Sequence, residues 1–239
     1  MYIMLMFLAA ILPAAFLFMY IWKKDIQKEP TSLLVKAVLY GAAICIPVAV
    51  FEHVIHAFLF GVDGEPTSLV GSTAMAFFVA ALPEESFKLL VLWLILRKNP
   101  FFDEHFDGIV YAVCIGLGFA AFENVGYIFK SEEWLSVAIS RSLFAVPGHY
   151  AFAVFMGYYY SVYHFVNRSP KVAACILLVP VLAHGIYDSL AMSGIVNRYI
   201  GGICFFVLIY FCIKMHKVAK GKVLTLVEKD RSENDFIVS

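Results

Sequence analysis

Seven apolar runs divide this chain, near Tyr2–Trp22, Leu33–Phe60, Leu69–Leu96, Gly108–Phe129, Leu135–Tyr163, Lys171–Met192 and Tyr199–Ile213. The hydrocarbon core of a bilayer is about 30 Å thick and takes about 20 helical residues to cross. Inside it every backbone N–H and C=O must find a partner within the protein, which leaves helices or a closed barrel. Barrel strands alternate apolar and polar residues, whereas these runs are apolar throughout. The sequence therefore predicts an all-α, polytopic membrane helix bundle with about seven transmembrane helices. Composition agrees. Of 239 residues, 62% are hydrophobic and 15% charged, against roughly 45–50% and about 25% in soluble domains. That excludes an ordinary soluble enzyme and a disordered chain. With 18 Lys+Arg balancing 18 Asp+Glu, no net positive charge draws the chain to nucleic acid.

The basic residues set the expected orientation. Fourteen fall on one side: Lys23, Lys24, Lys28, Lys36, Arg97, Lys98, Arg168, Lys171, Lys214, Lys217, Lys220, Lys222, Lys229 and Arg231. Lys130 and Arg198 fall on the other, and Lys88 and Arg141 lie inside runs. The bias places the N-terminus outside. It divides the chain into a transmembrane domain, residues 1–213, and a polar cytoplasmic tail, residues 214–239. The first run carries its positive flank after the apolar stretch, as an uncleaved anchor does and a signal peptide does not. Connections are short, so function is expected within the bundle. Cys45, Cys114, Cys175, Cys204 and Cys212 lie in apolar runs without paired spacing. They read as packing residues rather than as disulfides or zinc ligands.

A charge at the bilayer centre costs roughly 2.5–3.5 kcal/mol on insertion scales, so each ionisable group inside a run calls for a reason. The third run holds Pro83-Glu84-Glu85-Ser86-Phe87-Lys88. On a helix Lys88 lies at i+4 from Glu84 and i+3 from Glu85, within pairing reach of either. Adjacent side chains point about 100° apart at 3.6 residues per turn. One lysine is therefore expected to hold one glutamate ionised and leave the other desolvated, poised as a base. Pro83 weakens local helix hydrogen bonding, which suits backbone beside a cavity.

Further polar groups punctuate the later runs. The fourth carries Phe119-Ala120-Ala121-Phe122-Glu123-Asn124, in which Glu123 and Asn124 also serve as interhelical glue. The fifth carries Pro147-Gly148-His149, with Arg141 about two turns earlier, free to snorkel or to pair with a carboxylate. A lone His such as His149 is ordinarily a packing residue. In the sixth, His184-Gly185-Ile186-Tyr187-Asp188 puts Asp188 on the face of His184, where it can orient the ring or join it as a ligand. Gly185 and Gly194 permit close helix approach. The cluster Glu52, His53 and His56 lacks the spacing of the His-Glu-x-x-His zinc motif and is read as solvated at the interface. Laying Ile44–Phe58 over Ile115–Phe129 matches Phe51 with Phe122 and Glu52 with Glu123. Each segment precedes a run with proline ahead of polar residues, which raises the expectation of a duplicated helical hairpin.

Taken together, Glu84-Glu85-x-x-Lys88, Phe119-x-x-x-Glu123-Asn124, Pro147-Gly148-His149 and His184-x-x-x-Asp188 resemble the PrsW family of bacterial intramembrane proteases. That family is related to the CAAX-processing and bacteriocin-processing membrane proteases. The match follows motif order through the sixth run. The resemblance implies a multi-pass peptide hydrolase of the bacterial cell membrane that cuts a membrane-anchored protein. The implied reaction is the site-1 cut of an anti-sigma factor in regulated proteolysis under envelope stress. It also implies Glu84, Glu85 and His184 as catalytic residues, supported by Lys88, Glu123, Asn124, His149 and Asp188.

Peptide hydrolysis needs an activated water, a proton for the leaving amine and positive charge opposite the oxyanion. A metal-free route uses Glu85 or Glu84 as general base, with His184, His149 or Lys88 supplying protons or charge. A metal route places a Zn²⁺-like ion on His149, His184 and a carboxylate, Glu123 or Asp188, with Glu85 activating its water. We favour the metal-free glutamate route and keep zinc as the alternative. Nucleophilic catalysis is weaker, because Ser86 and the cysteines lack an adjacent base. The alternative function is a proton- or ion-coupled transporter, which uses intramembrane Glu and His residues in a similar way. The expected partners are a membrane-anchored protein substrate and the lipid bilayer, without nucleic acid.

Overall fold

A computed structural model describes residues 2–238, with side chains through Phe236. Among the described residues seven helical rods form and no strand occurs. They are α1 (Tyr2–Lys24), α2 (Thr31–Phe60), α3 (residues 69–96), α4 (Asp107–Lys130), α5 (residues 134–166), α6 (Pro170–Val196) and α7 (Arg198–Val238). The expected all-α bundle is what forms. Five rods, namely α1, α2, α4, α6 and α7, have the length and apolarity of single membrane-crossing helices. The other two reach that length only in segments.

Both segmented rods are interrupted by π-helical turns that proline explains, and a further π turn, Val162–Val166, ends the second of them. In α3 the π segment Met75–Ala81 precedes Leu82–Leu96, and in α5 the π segment Arg141–Ala145 precedes Val146–Ser161. Pro83 and Pro147 follow within two residues. Proline has no N–H to donate and its ring collides with the carbonyl one turn back. A wider i→i+5 turn makes room: Leu82 N–H donates to the Phe77 carbonyl, and Val146 N–H to that of Arg141. Such bulges recur at functional sites because they redirect the next side chains. Here the next side chains include Glu84, Glu85 and His149.

Helix α4 is the central post. Every residue from Asp107 to Ala120 is buried, as expected of a helix that is apolar all round. It packs on α1, α2 and α5 through close backbone approaches. A Cβ on Gly118 would stand 2.1 Å from the Val38 carbonyl oxygen, and one on Gly41 2.1 Å from that of Ile115. The close approach expected at Gly185 and Gly194 is also present, against the Phe77 ring and Gly201. Large apolar side chains such as Phe16, Phe58 and Phe206 point outward, which suits lipid as solvent. All five cysteines are free thiols.

The rods alternate in direction. Ala10 of α1, Ile128 of α4 and Ala138 of α5 pack together toward one end. At the other end, the basic-loop end, the 25–30 loop, the 97–106 connection and the far part of α7 meet. Helix α7 continues unbroken past Ile213, and Met215, Ala219, Val223, Leu226 and Val227 are buried in the main core.

Candidate active site

Lys88 organises the site. The first turn of Leu82–Leu96 carries Glu84 and Glu85, and one turn on the lysine ammonium reaches back to both. Its Nζ donates to Glu84 Oε2 at 3.0 Å, to Glu85 Oε1 at 2.8 Å and to His149 Nδ1 at 3.2 Å. All three N–H bonds are thereby used, and the Phe119 ring covers Nζ at 4.2 Å from its centroid. This corrects the expectation that one lysine serves only one glutamate. The i+3 and i+4 positions flank the lysine stem, so a flexible side chain ending in three donors bridges both carboxylates.

Two histidines extend the cluster from α5 and α6. His149 accepts at Nδ1 from Lys88, so Nε2 carries its proton and donates to Glu123 Oε2 at 3.0 Å. His184 faces Glu85 Oε1 with Nδ1 at 3.0 Å and Asp188 Oδ2 with Nε2 at 3.2 Å. Each ring therefore turns Nδ1 inward, to the α3 cluster, and Nε2 outward, to a second carboxylate. His149 is more than a packing residue. Phe152, one turn after His149, stacks on His184 with centroids 4.6 Å apart and planes 17° apart.

Arg141, in the π turn of α5, does not snorkel; it pairs with Glu123 Oε2 at 2.6 Å and donates through Nε to Asn124 Oδ1 at 2.5 Å. Asn124 in turn donates to the Ala10 carbonyl. Its position is that of a strut between α1, α4 and α5, one helix step from the histidines.

A cavity of about 500 Å³ borders this network, with Glu84, Glu123, Arg141, His149, His184 and Asp188 in its wall. Glu85 and Lys88 lie behind that wall, buried to 0% and 3% exposure. Glu52 also lines the cavity, a correction to its reading as a solvated interfacial residue, while His53 is exposed. The alignment of Glu52 with Glu123 was the signal that could have placed it. Phe152 was also missed; its spacing of three from His149 puts both on one helix face.

The donor set has the right chemistry for a metal. Glu84, Glu85, His149 and His184 each offer an atom within 4.8 Å of the others, and Glu85 Oε2 is buried without a hydrogen-bond partner. Outer carboxylates on both histidines complete the carboxylate–histidine order common around zinc. Glu123 and Asp188 fall in that outer position rather than within the group of four. The residues fit a Zn²⁺-like ion on condition that Lys88, whose ammonium now contacts three of the four, turns away.

Comparison with known proteins gives a consistent answer. The family model for the PrsW family intramembrane metalloproteases matches residues 29–214. A protein named Protease PrsW from Clostridioides difficile (strain 630) is 36% identical over 193 residues, 78% of this chain and 79% of the relative. The Protease PrsW of Geobacillus kaustophilus (strain HTA426) is 32% identical over 215 residues, 89% and 91% of the two chains. That of Bacillus subtilis (strain 168) is 27% identical over 223 residues, 92% and 97%. No solved structure matches the chain. Its apolar helices and its relatives make it a multi-pass bacterial membrane protein. The chain belongs to the PrsW family of intramembrane proteases.

Proposed function

We propose that this protease cuts a membrane-anchored protein with Glu84 as general base, the Arg141 guanidinium facing the oxyanion, and Lys88, Glu85 and His184 as the frame that positions them. The observation that carries this reading is the contrast between the two glutamates. Glu84 is anchored by Lys88 and lines the cavity, whereas Glu85 is fully buried and ties Lys88 to His184.

In the proposed reaction, Glu84 takes a proton from a water molecule while the water oxygen bonds to the scissile carbonyl carbon. Negative charge passes to the carbonyl oxygen, opposite the Arg141 guanidinium in the cavity wall. Collapse breaks the C–N bond, and the departing nitrogen takes the proton that Glu84 holds. His149, Glu123 and Asp188 act as positioning residues, and Asn124 holds Arg141. Where an ion is bound, His149, His184, Glu84 and Glu85 would hold it, and it would supply Lewis-acid activation of water. Peptide hydrolysis proceeds without it in our reading, because the Lys88 ammonium already provides a positive charge at the same donors.

The cavity lies toward the ends of the rods that border residues 61–68 and 131–133, opposite the basic loops. The Lys/Arg bias makes that the extracytoplasmic side and makes residues 214–239 cytoplasmic. A cut on that side suits the first step of regulated proteolysis, with a single-span anti-sigma factor as substrate under envelope stress. A transporter would need a polar route onward through the bundle, and α4 is buried in the apolar core from Ala112 to Ile115.

The test is co-expression with a tagged single-span anti-sigma-type substrate bearing an extracytoplasmic domain. Wild type is compared with Glu84→Gln and Glu85→Gln, with both proteins blotted for expression. The expected result is a truncated substrate with wild type and none with either normally expressed variant. Equal truncation by wild type and Glu84→Gln overturns the assignment of the base.

A further inference from the structure

A second cluster of acids lies far from the cavity, at the basic-loop end. Asp25 and Glu29 belong to the loop between α1 and α2, Glu104 to the connection before α4, and Asp107 to the first position of α4. All four are buried, to 3%, 6%, 7% and 0% exposure. Atoms of Asp25, Glu104 and Asp107 approach within 4.8 Å of one another. Among the described residues, no lysine or arginine makes an ion pair with any of the four. Lys28 is the near cation, yet its ammonium bonds the carbonyls of Trp22 and Asp25 instead.

Several oxygens in this cluster lack partners. Glu29 accepts from the Tyr111 hydroxyl, and Glu104 Oε1 from Gln27 and Asn234, each at 2.8 Å. Asp107 Oδ2 accepts from the backbone N–H groups of Asp103 and Glu104 at 3.1 and 2.7 Å. Asp107 Oδ1, Glu104 Oε2 and both oxygens of Asp25 have none; the Glu29 N–H faces Asp25 without completing a hydrogen bond. Leaving buried charged oxygens unpaired is costly.

We infer that Asp25, Glu104 and Asp107 form a site for a hard divalent cation, Ca²⁺ or Mg²⁺, separate from the proteolytic cluster. The donors are all oxygen, the set that these ions take and that zinc and copper do not favour. Metal–oxygen distances of about 2.3–2.6 Å for Ca²⁺ span oxygens up to about 5 Å apart, which these spacings satisfy. The ion satisfies the unpartnered oxygens and offsets two of the three carboxylate charges. It also fastens the α1–α2 loop to the start of α4, next to where Asn234 of α7 reaches Glu104.

The test uses the full chain in detergent micelles, stripped with EDTA. Thermal unfolding and titration calorimetry are run with CaCl₂ and MgCl₂, and with KCl at matched ionic strength. The expected result is a saturable rise in Tm with one or both divalent salts and none with KCl. In Asp25→Asn and in Glu104→Gln the affinity falls at least about tenfold, since each removes a ligand charge. Glu84→Gln, altered in the other cluster, keeps the full effect. Melting that is the same with EDTA and with either salt overturns the inference. So does a divalent effect that survives in both Asp25→Asn and Glu104→Gln, or that disappears in Glu84→Gln. If Asp25→Asn does not fold, Glu104→Gln and the wild-type titration decide.

Discussion

Phe152 lies flat on His184, and the two rings come from different rods, α5 and α6. The stack covers one face of the imidazole, whose two nitrogens are held by Glu85 and Asp188. Aromatic pairs of this kind are worth about 0.5–1.5 kcal/mol beyond burial. Phe152→Leu keeps most of the volume and loses the stack. We expect a fall of up to about tenfold in cleavage rate, measured on purified enzyme with a fluorogenic transmembrane substrate, and a drop of about 2–4 °C in melting temperature. An unchanged rate would mean that Asp188 and Glu85 alone orient the ring.

The two glutamates separate by their effects on folding. Both amide variants should lose about 10²–10⁴-fold in activity, the usual contribution of a general base or its frame. Glu84 borders the cavity, where water can take the place of a lost contact. Glu85 is fully enclosed between Lys88 and His184, and breaking a buried ionic network by removing one partner costs about 3–5 kcal/mol. Glu85→Gln should therefore melt well below wild type, and Glu84→Gln close to it. Equal melting temperatures would contradict the proposed division between cavity base and buried frame.

Much of this was legible from the residues alone. The seven apolar runs become seven rods because lipid forces backbone groups to pair locally, and no tertiary information is needed for that. The cluster of Glu84, Glu85, Lys88, His149 and His184 was legible because each is an expensive residue in an apolar run. What sequence spacing lacks is direction across rods. It gave the angle between Glu84 and Glu85 but not the reach of Lys88 to both, nor the side of His149 on which Glu123 lies. The same limit hid Glu52, whose place near a helix end looked solvated until the neighbouring rods enclosed it. Of the π turns, the one ahead of Pro83 was legible only as weakened hydrogen bonding, and the one ahead of Pro147 was not legible at all.

Lys88 also decides how the site answers to metal. With its ammonium on three of four donors, cleavage by the wild-type enzyme should persist after dialysis against EDTA and phenanthroline. Lys88→Met removes the resident cation and leaves the carboxylates and histidines free for a divalent one. That variant should take up more Zn²⁺ than wild type, by inductively coupled plasma mass spectrometry on protein incubated with equal zinc. Loss of wild-type activity on chelation, restored by Zn²⁺ alone, would establish the metal route instead.

Asp230 links the end of α7 to the start of α4 across 125 positions of sequence. Its carboxylate accepts from the His105 and Phe106 backbone N–H groups, each at 2.8 Å, as an N-capping side chain does. Together with the buried Val223, Leu226 and Val227, it makes residues 214–236 part of the packed bundle. Asp230→Ala should cost about 0.5–2 kcal/mol, the range for lost caps. Because the cap joins two elements, the loss should appear first as local opening. Limited proteolysis should cut Asp230→Ala within residues 214–236 at protease levels that leave the wild-type helix intact, while the rods around Glu84 stay protected. Cleavage equal to wild type would show that the apolar contacts alone hold α7 down.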